Sequence, residues 1–314
     1  MNVIEIKHLT KDYGSEKGVF NLDLSVKKGE VFGFLGPNGA GKTTTIRHLM
    51  GFIHPDKGSC SINGLSCSKD SHIIQKNLGY LPGEIAFMDD MTGINFIKFI
   101  SEMKGVKDFS RAQELINMFS LDPSGKIKKM SKGMKQKIGI VCAFMNDPDI
   151  IILDEPTSGL DPLMQNKFLE LILSEKEKGK TIFMSSHIFD EIERTCDRTA
   201  IIKNGKLVAI EDMKTLSSSK HKSYIITFLN EEMAKNFIND GFNVKEIVKN
   251  QVTVSIKGKV MPLIHALGKY EVKSLDIKTQ SLEELFMHYY GDIQSSHFYG
   301  DIQSSHYYGG EKND

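Results

Sequence analysis

Three features of the sequence predict an α/β fold. A compact apolar run, Val31 to Leu35, ends in the turn Gly36-Pro37-Asn38-Gly39 and leads into a helical pattern. A second run, Ile150 to Leu153, is too short for a helix, is rich in β-branched residues and ends in two acids. Strand-like and helix-like stretches then alternate as far as Ile202, the rhythm of a parallel sheet covered by helices. The chain has 314 residues, enough for about two domains. Hydrophobic residues make up 40% and charged residues 25%, which argues against wholesale disorder. Forty Lys plus Arg balance forty Asp plus Glu, so there is no strong positive field and no nucleic-acid partner is expected.

The elements follow in order. Val3, Ile4 and Ile6 mark a short strand, and Leu22, Leu24 and Val26 alternate with polar neighbours as in a half-buried strand. Val31 to Leu35 is a buried strand. Thr43 to Met50 is a helix, with Ile46, Leu49 and Met50 at helical spacing and Gly51 as its stop. From about residue 84 to 145 the pattern is mostly helical. Ile94, Ile97, Phe99 and Ile100 crowd one helix and Leu115, Ile116 and Phe119 a second. Ile138, Val141, Cys142 and Met145 lie on a third, which begins after Ser131. Ile150 to Leu153, Thr181 to Ser185 and Ala200 to Ile202 are strands, with a helix over Pro162 to Lys178.

Composition changes after Leu216, and Ser217-Ser218-Ser219-Lys220 reads as a linker. Strands over Tyr224 to Phe228, Val244 to Val248, Val252 to Ile256 and Val272 to Ile277 alternate with helices over Glu231 to Asn239 and Met261 to Leu267. The order βαββαβ matches a small α+β, ferredoxin-like domain over about 222–290, closed by a helix from Ser281 to Tyr289. Residues 291–314 hold GDIQSSH twice, from Gly291 and Gly300. Two copies are too few for a solenoid, so this reads as a duplicated, disordered tail with no metal role for His297 or His306. No apolar stretch approaches the ~20 residues of a bilayer span, and no signal pattern opens the chain, so it is not expected to cross a membrane itself. Cys60, Cys67, Cys142 and Cys196 lack CxxC or zinc-finger spacing and read as reduced thiols.

Two motifs carry chemistry. Residues Gly36, Pro37, Asn38, Gly39, Ala40, Gly41, Lys42 and Thr43 fit GxxxxGK[ST], the phosphate loop, in the required context between strand and helix. The glycines let several N–H groups converge on one anion, and the following helix, with Thr44 in its first turn, adds its positive end. Lys42 is expected to reach the β- and γ-phosphates and the Thr43 hydroxyl to hold Mg²⁺. Asp154 and Glu155 follow an apolar strand, which sets both acids at the edge of the sheet beside that loop. Asp154 is expected to orient Mg²⁺ or its waters, and Glu155 to polarise the attacking water.

These motifs and those that follow give the chain, over residues 1–216, a resemblance to the ATP-binding subunits of ABC transporters. Met130-Ser131-Lys132-Gly133-Met134-Lys135-Gln136 resembles the signature motif, usually LSGGQ. Ser158-Gly159-Leu160-Asp161 is similar to the D-loop, His187 to the switch histidine, and Tyr13 to the aromatic that stacks on adenine. The resemblance implies a P-loop NTPase fold of ABC ATPase type with a helical subdomain at about 84–145, and ATP and Mg²⁺ as cofactors. It also implies that Ser131 and Gly133 serve a nucleotide held by a second subunit, identical or different, in a head-to-tail dimer, and that Asp161 is a nucleotide-binding residue. The partner implied is a separate multi-span permease, with the chain peripheral on the cytoplasmic face of the membrane.

Two departures stand out. The family usually has Gln after a GYLP-like segment, where this chain has Gly83; the contact to Mg²⁺ or water is then either absent or supplied by Glu84, a candidate for it. Lys132 and Met134 also replace two signature residues, while Ser131 and Gly133 remain. The GYLPGE form, the signature variant and the extra domain resemble exporters with separate permeases, of the multidrug or antibiotic type. Two rival functions are a soluble ATPase of translation or DNA repair and a small-molecule phosphotransferase. Translation factors of that kind resemble two such ATPase units in one chain and repair forms carry long coiled coils, neither of which is present. A phosphotransferase needs catalytic arginines, yet only Arg47, Arg111, Arg194 and Arg198 occur.

Overall fold

The computed structural model describes residues 1–219, 222–256 and 259–279. The chain divides into two compact units between residues 221 and 222. In the first, β1 (Asn2–Asp12) pairs antiparallel with both β2 (Gly18–Lys27) and β4 (Lys57–Ile62), and β4 with the short β5 (Leu65–Ser66). Along β2, Val19 and Leu22 are both buried although three residues apart. The register slips between them, where Asn21 takes a φ of +52°, and the slip restores the apolar face. β3 (Val31–Leu35) belongs to a second sheet and leads into α1 (Lys42–Leu49).

The remaining elements of this unit follow in sequence. α2 (Ser71–Asn77) precedes β6 (Leu78–Leu81), and then come the helices α3 (Gly93–Met103), α4 (Ser110–Met118) and α5 (Lys132–Phe144). β7 (Ile150–Asp154), α6 (Pro162–Glu177), β8 (Thr181–Ser186), α7 (Phe189–Thr195), β9 (Arg198–Lys203), β10 (Lys206–Asp212) and α8 (Met213–Ser219) complete it. The second sheet has the order β10-β9-β3-β8-β7-β6, parallel except for β10. Every residue of β3, β7 and β8 is buried, which is why these strands read as unbroken apolar runs.

Several elements differ from the sequence reading. Residues 84–92 are not helical; α3 starts at Gly93, where the Thr92 side chain accepts the Asn95 N–H. Ser217 to Ser219 end a helix rather than form a linker. Asp212 Oδ1 caps that helix by accepting the N–H groups of Lys214 and Thr215, each at 3.0 Å, while Met213 and Leu216 are buried beneath it. β4 carries Gly58, Ser59 and Ser61, so no apolar alternation marks it, and it forms through its partner β1.

In the second unit the order is β11 (Lys222–Phe228), α9 (Glu231–Ile238), β12 (Asn243–Val248), β13 (Gln251–Ile256), α10 (Met261–Leu267) and β14 (Val272–Thr279). Its sheet runs β12-β13-β11-β14, all antiparallel, the split βαβ arrangement expected from the sequence. Phe228, Phe237, Val252, Val254 and Leu263 form the centre of its core. The expected helix from Ser281 to Tyr289 and the repeat tail, with His297 and His306, lie outside the described residues. No helix among the described residues is long and apolar enough to cross a membrane.

A buried charge cluster joins α4 to the α/β layers. Glu175, on α6, is 1% exposed and meets Arg111 Nη2 of α4 at 2.6 Å, Lys178 Nζ at 2.8 Å and Lys180 Nζ at 2.5 Å. Burial works against its charge, but the hydrogen bonds from Lys178 and Lys180 and the charges beside it hold its carboxyl below the ordinary range. Replacing Glu175 with Gln leaves Lys180 buried without its full countercharge. We expect a loss of about 3 kcal/mol in denaturant unfolding. An unchanged midpoint would mean that the cluster is neutral for stability.

Candidate nucleotide site

The site begins where β3 runs into its turn. Gly36 has no room for a side chain: a Cβ there would lie 2.4 Å from the Ile202 carbonyl oxygen. Gly39 and Gly41 have φ values of +79° and +108°, which L side chains resist, and they curl the loop back into α1. The first amides of a helix have no partner within it, and here they open into a cleft of about 380 Å³. Asn38, Thr43 and Thr44 line it on one side, Tyr13 and Lys17 on another, and Lys42 and Glu155 at its floor. Tyr13 is 55% exposed, so its ring is open to a stacking partner. Ala40 is buried, and its carbonyl accepts the Gly205 N–H at 3.0 Å, which fixes the loop to the turn after β9.

Lys42 is buried. Its ammonium donates to the carbonyls of Gly36 at 2.6 Å and Pro37 at 3.1 Å, and lies 3.0 Å from Glu155 Oε1. The other oxygen of Glu155 meets His187 Nδ1 at 2.6 Å. Glu155 has a φ of +49°, an uncommon conformation for a residue with a side chain. Its N–H is held by the Ser185 carbonyl at 3.2 Å and hydroxyl at 3.1 Å. The chain thus turns sharply off β7 and sends this carboxylate toward the loop. Burial disfavours the charge on Glu155, but His187 and Lys42 together outweigh it and hold the carboxyl below its ordinary range. The same hydrogen bond raises the His187 imidazole, against burial and the charge of Lys42.

Asp154 is fully buried. Ser185 donates to its Oδ1 at 2.6 Å, while Oδ2 has no hydrogen-bond partner. An orphaned buried carboxylate oxygen suits a cation or its water shell. The backbone that lies against Oδ2 is that of Gly83, where a Cβ would come within 3.2 Å; Glu84 is exposed to solvent. Ser131 caps α5, its hydroxyl accepting the Met134 N–H at 3.2 Å, and Asp161 caps α6 through Met164 at 3.0 Å. Ser131, Gly133 and Asp161 do not line the cleft. Gly133 packs on Gly159, and Lys132 Nζ donates to Ser158 Oγ at 2.9 Å, so the two segments are tied to each other.

Gln136 was legible only as one letter of a motif. In the structure it is buried and donates to the Pro156 carbonyl at 2.7 Å, bracing the backbone beyond Glu155. Glu191 was missed. It has no motif of its own and sits in a seven-residue helix too short to show periodicity.

This fold and this site define a phosphate-loop nucleotide triphosphatase. Residues 19–158 match the family model described as ABC transporter. The chain is 33% identical to a bacitracin transport ATP-binding protein of Bacillus licheniformis, over 92% of this chain and 97% of that protein. It is 30% identical to a linearmycin resistance ATP-binding protein of Bacillus subtilis, over 92% and 98%. Among solved structures, an ATP-binding subunit of an ABC transporter aligns with 32% identity and a TM-score of 0.64, over 69% of this chain and 92% of that one. A dimeric bacterial ABC transporter cassette aligns at 25% and 0.61, over 67% and 98%. The chain belongs to the ABC transporter family, as an ATP-binding and ATP-hydrolysing subunit. These similarities support its work in transport and not the translation, repair or phosphotransferase alternatives.

A histidine whose folded pKa is raised adds stability that is complete below its unfolded value of about 6.5 and is lost as pH climbs through the folded value. Thermal melts without added nucleotide should therefore separate wild type from His187→Gln most at about pH 6 and least at about pH 9. A gap that does not change with pH would rule out a charged His187–Glu155 pair.

Proposed function

We propose that the chain powers export of an antibiotic-like or other drug-like substrate, docked on a separate multi-span permease at the cytoplasmic face of the membrane. The relatives named for bacitracin transport, linearmycin resistance and multidrug transport support that substrate class. The single observation that carries the mechanism is the contact chain Lys42–Glu155–His187, of which Lys42 and Glu155 line the cleft.

Triphosphate enters between the loop amides, and Lys42 shifts from Glu155 to the β- and γ-phosphates. That frees the carboxylate, already poised in its charged form, to accept a proton from the water that attacks the γ-phosphorus. The bond to the ADP oxygen breaks as the new P–O bond forms, and the loop amides and Lys42 stabilise the spread charge. Tyr13 stacks on the base. Thr43 and Asp154 would hold Mg²⁺, which supplies further charge neutralisation at the phosphate oxygens. His187, bound to Glu155, faces the γ-phosphate, so its hydrogen bonding changes when that group leaves.

Ser131 and Gly133 lie outside their own chain's cleft, and this supports their use by a second copy of the chain or a related subunit. Head to tail, each Ser131 and Gly133 closes the partner's cleft over its ATP, with Asp161 at the same interface. Closure depends on contacts to the γ-phosphate, so hydrolysis removes them and opens the pair.

Glu155→Gln should lower turnover by about a hundredfold or more and accumulate an ATP-bound dimer on size exclusion with ATP and Mg²⁺. Lys42→Ala should lose ATP binding and remain monomeric. A Glu155→Gln protein that binds ATP yet stays monomeric would count against the sandwich.

A further inference from the structure

Glu191, in α7, is 3% exposed, and its two carboxylate oxygens are divided between the turn after β7 and the last residue of β8. One accepts the hydroxyl of Thr157, in the turn that follows Glu155. The other accepts Ser186 Oγ at 2.8 Å, from the residue immediately before His187. Ser186 Oγ in turn accepts the N–H of Ile188 at 2.9 Å, so this hydroxyl braces the chain on both sides of His187. α7 is itself anchored to the sheet. Ile192 is fully buried and fills the space over Gly33, where a Cβ would come within 2.9 Å of it. Thr195 Oγ1 donates to the Glu191 carbonyl at 2.6 Å.

We propose that Glu191 is a positioning residue: its carboxylate clamps the turn after Glu155 to the loop that carries His187 and so maintains the contact between those two side chains. The inference rests on the reading of Glu155 and His187 as the reacting pair. An apolar side chain would fill the same space without a desolvation penalty. It could not accept a hydrogen bond from either loop, and Thr157 and Ser186 would be left as buried donors without acceptors. Burial does push the Glu191 carboxyl above its ordinary range, with the two hydroxyls opposing the shift, so the arrangement carries a cost that packing alone does not require. The links alternate along the end of β8 and the residue after it. Ser185 reaches Asp154, Ser186 reaches Glu191 and His187 reaches Glu155. Freeing the middle link would loosen the last one.

The test is steady-state ATP hydrolysis by the full-length chain carrying Glu191→Gln, Thr157→Val or both. Glu191→Gln should lower kcat by about ten- to a hundredfold, with the KM for ATP within about twofold of wild type. Thr157→Val should lower kcat less, and the double variant should be no worse than Glu191→Gln alone, because both remove one link. A folded Glu191→Gln protein with wild-type kcat, an equal loss expressed in KM, or losses that multiply in the double variant would overturn the proposal. Should Glu191→Gln fail to fold, Thr157→Val decides: a lower kcat at unchanged KM supports the clamp and an unchanged kcat refutes it. Glu155→Gln and His187→Ala run alongside. If both keep wild-type turnover, the reading of the reacting pair fails; if they are inactive while Glu191→Gln is normal, only the clamp fails.

Discussion

The insertion of β8 between β3 and β7 is the constraint on which the site depends. β3 delivers the phosphate loop and β7 delivers the two acids, yet the two strands do not touch. The strand between them is paired in parallel register to both, with Ser186 beside Leu35 and Ser185 beside Asp154. Its end therefore falls between loop and acids, and the next residue is His187. The parallel sheet brings the C-terminal ends of three strands to one edge, where ligands of such sheets bind.

At that edge the molecule tolerates features that a stable fold would otherwise avoid. Glu155 has a left-handed backbone, Asp154 keeps a carboxylate oxygen without a partner, and Glu191 is buried on two hydroxyls. Each is held in place by an ordinary apolar layer nearby, such as Ile192 over Gly33 or the fully buried strands. The buried charge of Glu155 is compensated on both oxygens, by Lys42 at 3.0 Å and His187 at 2.6 Å.

The helical region is attached by charge as well as by packing. Arg111 reaches Glu175 across from α4, and Lys167 on α6 donates to the Met118 carbonyl at 2.9 Å. Such links set α4 relative to α6, while the N-terminus of α5 is tied through Lys132. The Lys132–Ser158 hydrogen bond, made by a residue that departs from the usual signature, adds a tie between that terminus and the D-loop segment. The second unit has its own core and its own four-stranded sheet.

Much of this was legible along the chain. Strands buried on both faces cannot hide their apolar runs, and a phosphate loop demands small residues at fixed spacing, so β3, β7, Lys42, Asp154 and Glu155 all stand out in one dimension. The βαββαβ order of the second unit was readable for the same reason, since its strands and helices alternate with clear periods. β4 was not readable, because its serines and glycine gain their conformation from β1; neither was the helix that ends in Ser217 to Ser219, which depends on a cap at Asp212 and two buried anchors. The sequence alone determined which groups could bind phosphate and accept a proton. Only the tertiary structure decided that His187 and Lys42 share one carboxylate, that Gly83 lies against Asp154, and that Glu191 joins Thr157 to Ser186. Apart from the Ser186–Glu191 link, these contacts join residues some 30 to more than 100 positions apart, and no local pattern encodes them.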